Sequence, residues 1–281
     1  MAEEKNGCRR RPWWVPVLIA FVIAVAATLC NLSYISPHVT PGIYPQPDTS
    51  FIGRRTQVRL PAEQADVAVI FIGGFGDVLT ANFRCVYEGM PLLPCSGRQV
   101  RACYAWDGAQ GHLLNHDTHL AQQDIRAFLQ VNPGADLVFV GHSYGASAVM
   151  DIVRHLEGAP YGKIVVATLD AVSCRDRSFP RERAMGVQYW VNAYCAPYRS
   201  PMDVAARVGG PWRACEQADA NLCFSGKAKD SQGKPYRHSR PQSLFADTHA
   251  AYGVSAQELL FEACRRLQIG ECKEENEAPH E

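Results

Sequence analysis

ADLVFVGHSYGASAVMDIV, residues 135–153, passes from an apolar stretch through a serine held between two glycines and on into a helical pattern. The unbroken apolar run 137–140 reads as a strand buried on both faces. Beyond the serine, Ala146, Val149, Met150 and Val153 recur at i, i+3, i+4 and i+7, which predicts a helix over 144–156. Between the two lies Gly141-His142-Ser143-Tyr144-Gly145. At ~7% usage each for glycine and serine, a chain of this length shows that pattern by chance about one time in ten. Its weight comes from the setting, because a strand running through a sharp turn into a helix lifts a serine hydroxyl clear of the sheet. The glycines allow the backbone to approach its neighbours closely. The amide of Tyr144, first in the helix, then points where an oxyanion would develop.

Working outward, further β-branched apolar runs lie at 67–72, 100–104, 164–169 and 187–192, and a helical pattern lies at 118–129. A last helix opens at Ser255, which can cap with Glu258 reaching back, and closes near Gly270. Strands buried on both faces and alternating with helices predict an α/β fold, a mostly parallel sheet flanked by helices. About fifteen residues separate Asp170 from the next strand, too few for a large helical cap. The boundaries read from composition are 1–30 for an amino-terminal tip and apolar segment, 31–64 for a Pro-, Ser- and Thr-rich linker with at most a short strand at 57–60, 65–272 for the domain, and 273–281 for a charged tail.

Lysine plus arginine and aspartate plus glutamate balance at 28 each over 281 residues, so no net field would draw nucleic acid. The amino terminus differs: Lys5, Arg9, Arg10 and Arg11 precede an uncharged apolar run, 13–29. That run reaches the ~17-residue lower bound for a spanning helix. It predicts an uncleaved membrane anchor, with a removed signal segment as the alternative, the cations left on the cytoplasmic side and the domain exported. Eleven cysteines suit an oxidising compartment. The close pairs Cys215/Cys223 and Cys264/Cys272 are the expected local disulfides, and no CxxC spacing suggests zinc.

GHSYGAS, residues 141–147, together with IGGFGD, residues 72–77, resembles the α/β-hydrolase fold and specifically its lipase and esterase branch. A Rossmann dinucleotide loop fits the second stretch less well, since its third glycine is missing. The resemblance implies Ser143 as nucleophile and an oxyanion hole formed by the amides of Tyr144 and Phe75, with Gly74 as the alternative to Phe75. It implies an acid after the strand 164–169, and Asp170 in Thr168-Leu169-Asp170-Ala171 takes that place, with Asp176 and Asp203 as alternatives. For the base, His249 precedes the closing helix by a short turn, has Asp247 beside it and follows the apolar Leu244-Phe245. His238 lies among two prolines and three cations, the composition of an exposed loop. The expected triad is therefore Ser143, Asp170 and His249. Phe75, Trp106, Tyr144 and Leu244 are expected as apolar walls. The histidines His112, His116 and His119 would share a helix face but precede the nucleophile, and read as a solvated face rather than a metal site. The activity implied is cofactor-free, metal-free hydrolysis of a lipid or other acyl ester. A thioesterase or amidase would use the same triad, and a non-catalytic anchored binding module is the reading from a different class.

Overall fold

The computed structural model describes residues 58–271, except 75–76, 78–81, 105–118, 174–180, 199–202, 204–205 and 208. The expected anchor therefore lies outside the described residues. Among those described, no helix is long and apolar enough to cross a membrane.

Among the described residues, six strands form one parallel sheet: β1 (Val67–Ile72), β2 (Gln99–Tyr104), β3 (Asp136–His142), β4 (Ile164–Leu169), β5 (Val187–Cys195) and β6 (Ala220–Phe224). Their order across the sheet is β2-β1-β3-β4-β5-β6. The central strands β1, β3 and β4 are buried at every position, as their unbroken apolar sequences require. Among the described residues, five helices cover the sheet: α1 (Arg84–Gly89), α2 (His119–Val131), α3 (Tyr144–His155), α4 (Pro241–Ala246) and α5 (Ala256–Arg266). This is the expected α/β fold, a parallel sheet flanked by helices, with the chain turning sharply at Ser143 from β3 into α3.

Strand alternation sorts the core into two layers. Ala68, Ile70 and Ile72 of β1 join Leu137 and Phe139 of β3 beneath α2 and α3. Val67, Val69 and Phe71 join Val138 and Val140 beneath α1, α4 and α5. The periodic residues Ala146, Val149, Met150 and Val153 all fall in the first layer. Ser255 caps α5 by accepting from the Glu258 amide at 3.1 Å while the Glu258 carboxylate accepts from the Ser255 amide at 2.6 Å. Val58 already bridges Cys103 of β2, and Leu60 is buried.

Cys215 and Cys223, expected as a disulfide, are both free thiols. Cys215 is buried where its thiol meets the Asn192 amide and the Arg213 carbonyl, whereas Cys223 is exposed on the edge strand β6. Cys264 is a free, buried thiol on α5, and its expected partner Cys272 lies outside the described residues.

The direction in which successive strands are added across the sheet reverses at β1, because β2 lies on one side of β1 and β3 on the other. In an open parallel sheet a crevice forms at the carboxyl ends of such strands. Ile72 pairs with Gly141, so the glycines after β1 and the bend after β3 meet there.

Candidate active site

Ser143 follows β3 at φ 57° and ψ −127°, a conformation that L-residues seldom adopt. Backbone bonds hold it there: its N–H donates to the Leu169 carbonyl at 3.0 Å, and its own carbonyl accepts from the Val172 amide at 3.0 Å. The flanking glycines are needed for close approach. A Cβ on Gly145 would stand 2.2 Å from the Ile72 oxygen, and one on Gly141 would stand 2.6 Å from Ala146 Cα. Gly74 crosses against the serine itself, since a Cβ there would lie 2.4 Å from Ser143 Cβ.

Asp170, directly beyond β4, also has positive φ, at 45°. Its amide is fixed by the Ala193 carbonyl at 2.6 Å. The wholly buried carboxylate is saturated by design of its surroundings: Oδ1 accepts from the Cys195 amide at 3.0 Å and from the Tyr198 hydroxyl at 2.9 Å. Oδ2 stands 2.7 Å from Nδ1 of His238, whose Nε2 stands 2.9 Å from Ser143 Oγ. A carboxylate can only accept, so Nδ1 carries the hydrogen and the Nε2 lone pair faces the serine hydroxyl.

The structure thus brings His238, not His249, to Ser143. The 234–241 stretch looks exposed in sequence because two prolines and three cations are polar-loop residues, but one of those cations, Arg240, pairs with the buried Asp230. Asp230 organises the loop between β6 and α4. Its Oδ1 accepts from the amides of Gln232 at 3.0 Å and Lys234 at 2.8 Å. Its Oδ2 accepts from Arg240 Nε at 2.8 Å and from the Ser243 hydroxyl at 2.9 Å. Burial alone would raise the Asp230 carboxyl, but these bonds from Lys234, Ser243 and Arg240 hold it below its ordinary value. Pro241 opens α4 instead of extending the loop, as suits a residue without an N–H at a first helical position. Asp247, which in sequence is nearest to His249, accepts from the Ser231 amide and hydroxyl and from the Tyr236 hydroxyl at 3.0 Å, bracing the His238 loop.

His249 closes its own turn. Its amide donates to the Val254 carbonyl, its Nε2 meets the Cys223 carbonyl at 3.0 Å, and its ring packs edge-on against Phe224 and Tyr252. Leu244 is not a wall of the site but a fully buried residue of the second core layer. Phe75, Trp106 and Asp176 lie outside the described residues, as do His112 and His116. Of the two amides expected opposite Tyr144, that of Gly74 is already engaged, donating to Asp77 Oδ2 at 2.6 Å. Tyr144 opens α3 directly after Ser143 and is half-buried. Asp203 is buried, but the carboxylate against His238 is that of Asp170.

Two residues of the site escaped the sequence reading. Tyr198 is pushed well above the ordinary phenol value by burial and by Asp170 beside it, so it remains a donor to that carboxylate. Its ring meets His238 edge-on, with centroids 6.1 Å apart. No local pattern marks it, because its partner is distant in sequence. His142 was visible inside the bend, but its contact with the His238 backbone follows only from the fold.

No protein-family model and no curated protein matches the chain. Among solved structures, "Crystal structure of an esterase from the bacterial hormone-sensitive lipase (HSL) family" aligns with 88% of this chain and 97% of that one. The identity is 10% and the TM-score 0.37, a likeness that assigns no residue a role.

Proposed function

We propose that this chain is a serine hydrolase acting on carboxylic esters, with Ser143 as nucleophile, His238 as general base and Asp170 as the acid that orients the base. The hydrogen-bonded series Ser143 Oγ, His238, Asp170, at 2.9 and 2.7 Å, carries the reading. As Oγ bonds to the ester carbonyl carbon, its proton passes to His238 Nε2, and Asp170 stabilises the resulting imidazolium. The carbonyl oxygen gains the charge, and the Tyr144 amide at the start of α3 is placed in sequence to receive it. The tetrahedral intermediate collapses when Nε2–H gives its proton to the departing alkoxide. Water, deprotonated by the same nitrogen, then releases the acid and restores Ser143. The apolar segment 13–29 would hold this domain at a membrane on the exported side, which favours lipid or other acyl esters as substrates.

The test uses short p-nitrophenyl esters and a fluorophosphonate probe. The parent chain should turn over the ester and label on Ser143, and Ser143→Ala should lose on the order of 10³-fold or more in rate while keeping its circular dichroism. Undiminished turnover in that variant would overturn the reading.

A further inference from the structure

Resting on the hydrolase reading just given, we infer that His142 is a positioning residue, whose Nε2–H fixes the main-chain carbonyl of His238 and thereby the aim of the base at Ser143. His142 is the last residue of β3 and is buried. Its Nε2 lies 2.8 Å from the His238 carbonyl oxygen. A carbonyl only accepts, so this nitrogen must carry the hydrogen. The two rings face one another with centroids 4.9 Å apart at 34°. On its other side the His142 ring stacks on Phe83, with centroids 5.7 Å apart at 19°. The imidazole is thus clamped between a core aromatic and the base, and cannot turn without moving one of them.

The need for such a fixture follows from how His238 is held. It comes from a long connection between β6 and α4, not from a strand, and the bonds of Asp230 and Asp247 brace that connection away from the serine. At the serine end, His142 ties the His238 backbone to a residue bonded covalently to Ser143. Distance between base and nucleophile is then set by rigid β3 and not by the length of the loop. The other nitrogen, Nδ1, stands 3.7 Å from Asp77 Oδ2, which in turn accepts from the Gly74 amide beside Ser143. The glycine loop, the nucleophile and the base therefore meet around one imidazole.

The experiment compares His142→Gln with His142→Met in the full chain. The two side chains are close in size, but only the glutamine carries a terminal N–H where Nε2–H stands. Thermal midpoints, kcat and KM for a p-nitrophenyl ester, and the rate of fluorophosphonate labelling are measured for both. Misplacement of a catalytic group by about an ångström costs on the order of 10²-fold in rate. His142→Met should therefore lose between about 10- and 100-fold in kcat and in labelling rate with KM within about twofold, and His142→Gln should retain kcat within about threefold. Equal rates for the two variants, whether high or low, would overturn the proposal, and so would a loss in His142→Met carried by KM. If the parent does not label on Ser143, the hydrolase reading fails with it. If the parent labels and the variants do not differ, only the role of His142 falls.

Discussion

Ser143 and Asp170 are two of the three non-glycine residues with positive φ among the described residues, the third being Gln268. Such conformations cost about 1–3 kcal/mol each and persist where surrounding bonds over-determine them. At Ser143 those bonds are to Leu169 and Val172, the residues on either side of the Asp170 turn, so the two strained turns hold one another. Ser143→Gly and Ser143→Ala both remove the hydroxyl, and their difference isolates the backbone. Glycine normally destabilises ordered backbone by roughly 0.5–1 kcal/mol relative to alanine. Here the order should invert, with Ser143→Gly more stable by about 1 kcal/mol in urea unfolding. An alanine variant as stable as the glycine one would mean that the bend is unstrained. The same scale separates the two histidines. His238→Ala should abolish ester hydrolysis, whereas His249→Ala, whose ring serves a turn against Phe224, should keep nearly all of it. The positions of Ser143 and Asp170 were legible because each is fixed by its own strand end, a relation contained in a few neighbouring residues. That of His238 was not, because it depends on hydrogen bonds that Asp230 and Asp247 accept from a loop whose composition alone reads as solvated.

At the scale of elements, β1 to β5 were legible from their apolar runs, and the edge strand β6 was not. The sequence of β6, Ala-Asn-Leu-Cys-Phe, is short and polar at alternate positions, and Asn221 spends its side chain on the Cys215 amide and carbonyl. The connection that follows it is ordered by one carboxylate. Asp230 has a wholly buried side chain that receives four bonds, including those from Arg240 and Ser243 on either side of the start of α4. Asp230→Asn would leave Arg240 without its anionic partner and cost about 2 kcal/mol. The pH dependence follows from the lowered carboxyl. A carboxyl depressed in the folded state stabilises fully above its unfolded value of ~3.9, and that stabilisation is lost as pH falls through the folded value. Parent and Asp230→Asn should therefore differ at pH 7 and begin to converge as pH falls below about 4. Because His238 rides on this loop, the variant should also lose ester turnover at neutral pH, and a gap in stability that stayed constant down to pH 2 would refute the assignment.

Across the whole molecule, the two core layers decide which cysteines are chemically available. Burial pushes the thiols of Cys103, Cys195 and Cys264 up to about 12 and that of Cys215 up to about 11, while Cys85 and Cys223 lie on the surface. Cys195 is further raised by Asp170, whose Oδ1 its own amide binds. The thiolate is the form that alkylates, so a buried neutral thiol reacts only when the fold opens. Linkage gives the sign: unfolded thiols ionise near their ordinary value while folded ones do not, so stability contributed by these residues falls as pH rises from about 9 towards about 12. Iodoacetamide applied to the native chain at pH 8 should modify Cys223 first among the described cysteines, leaving Cys103, Cys195, Cys215 and Cys264 protected until denaturant is added. The same peptide map examines the compartment inferred from the amino-terminal cations. An exported chain in which Cys215 and Cys223 had paired would yield neither as a labelled residue, even after unfolding without reductant. Rapid native labelling of Cys195 would carry a different message: the second core layer beneath Asp170 would then open readily, and a carboxylate in so mobile a setting could not hold His238 in one tautomer.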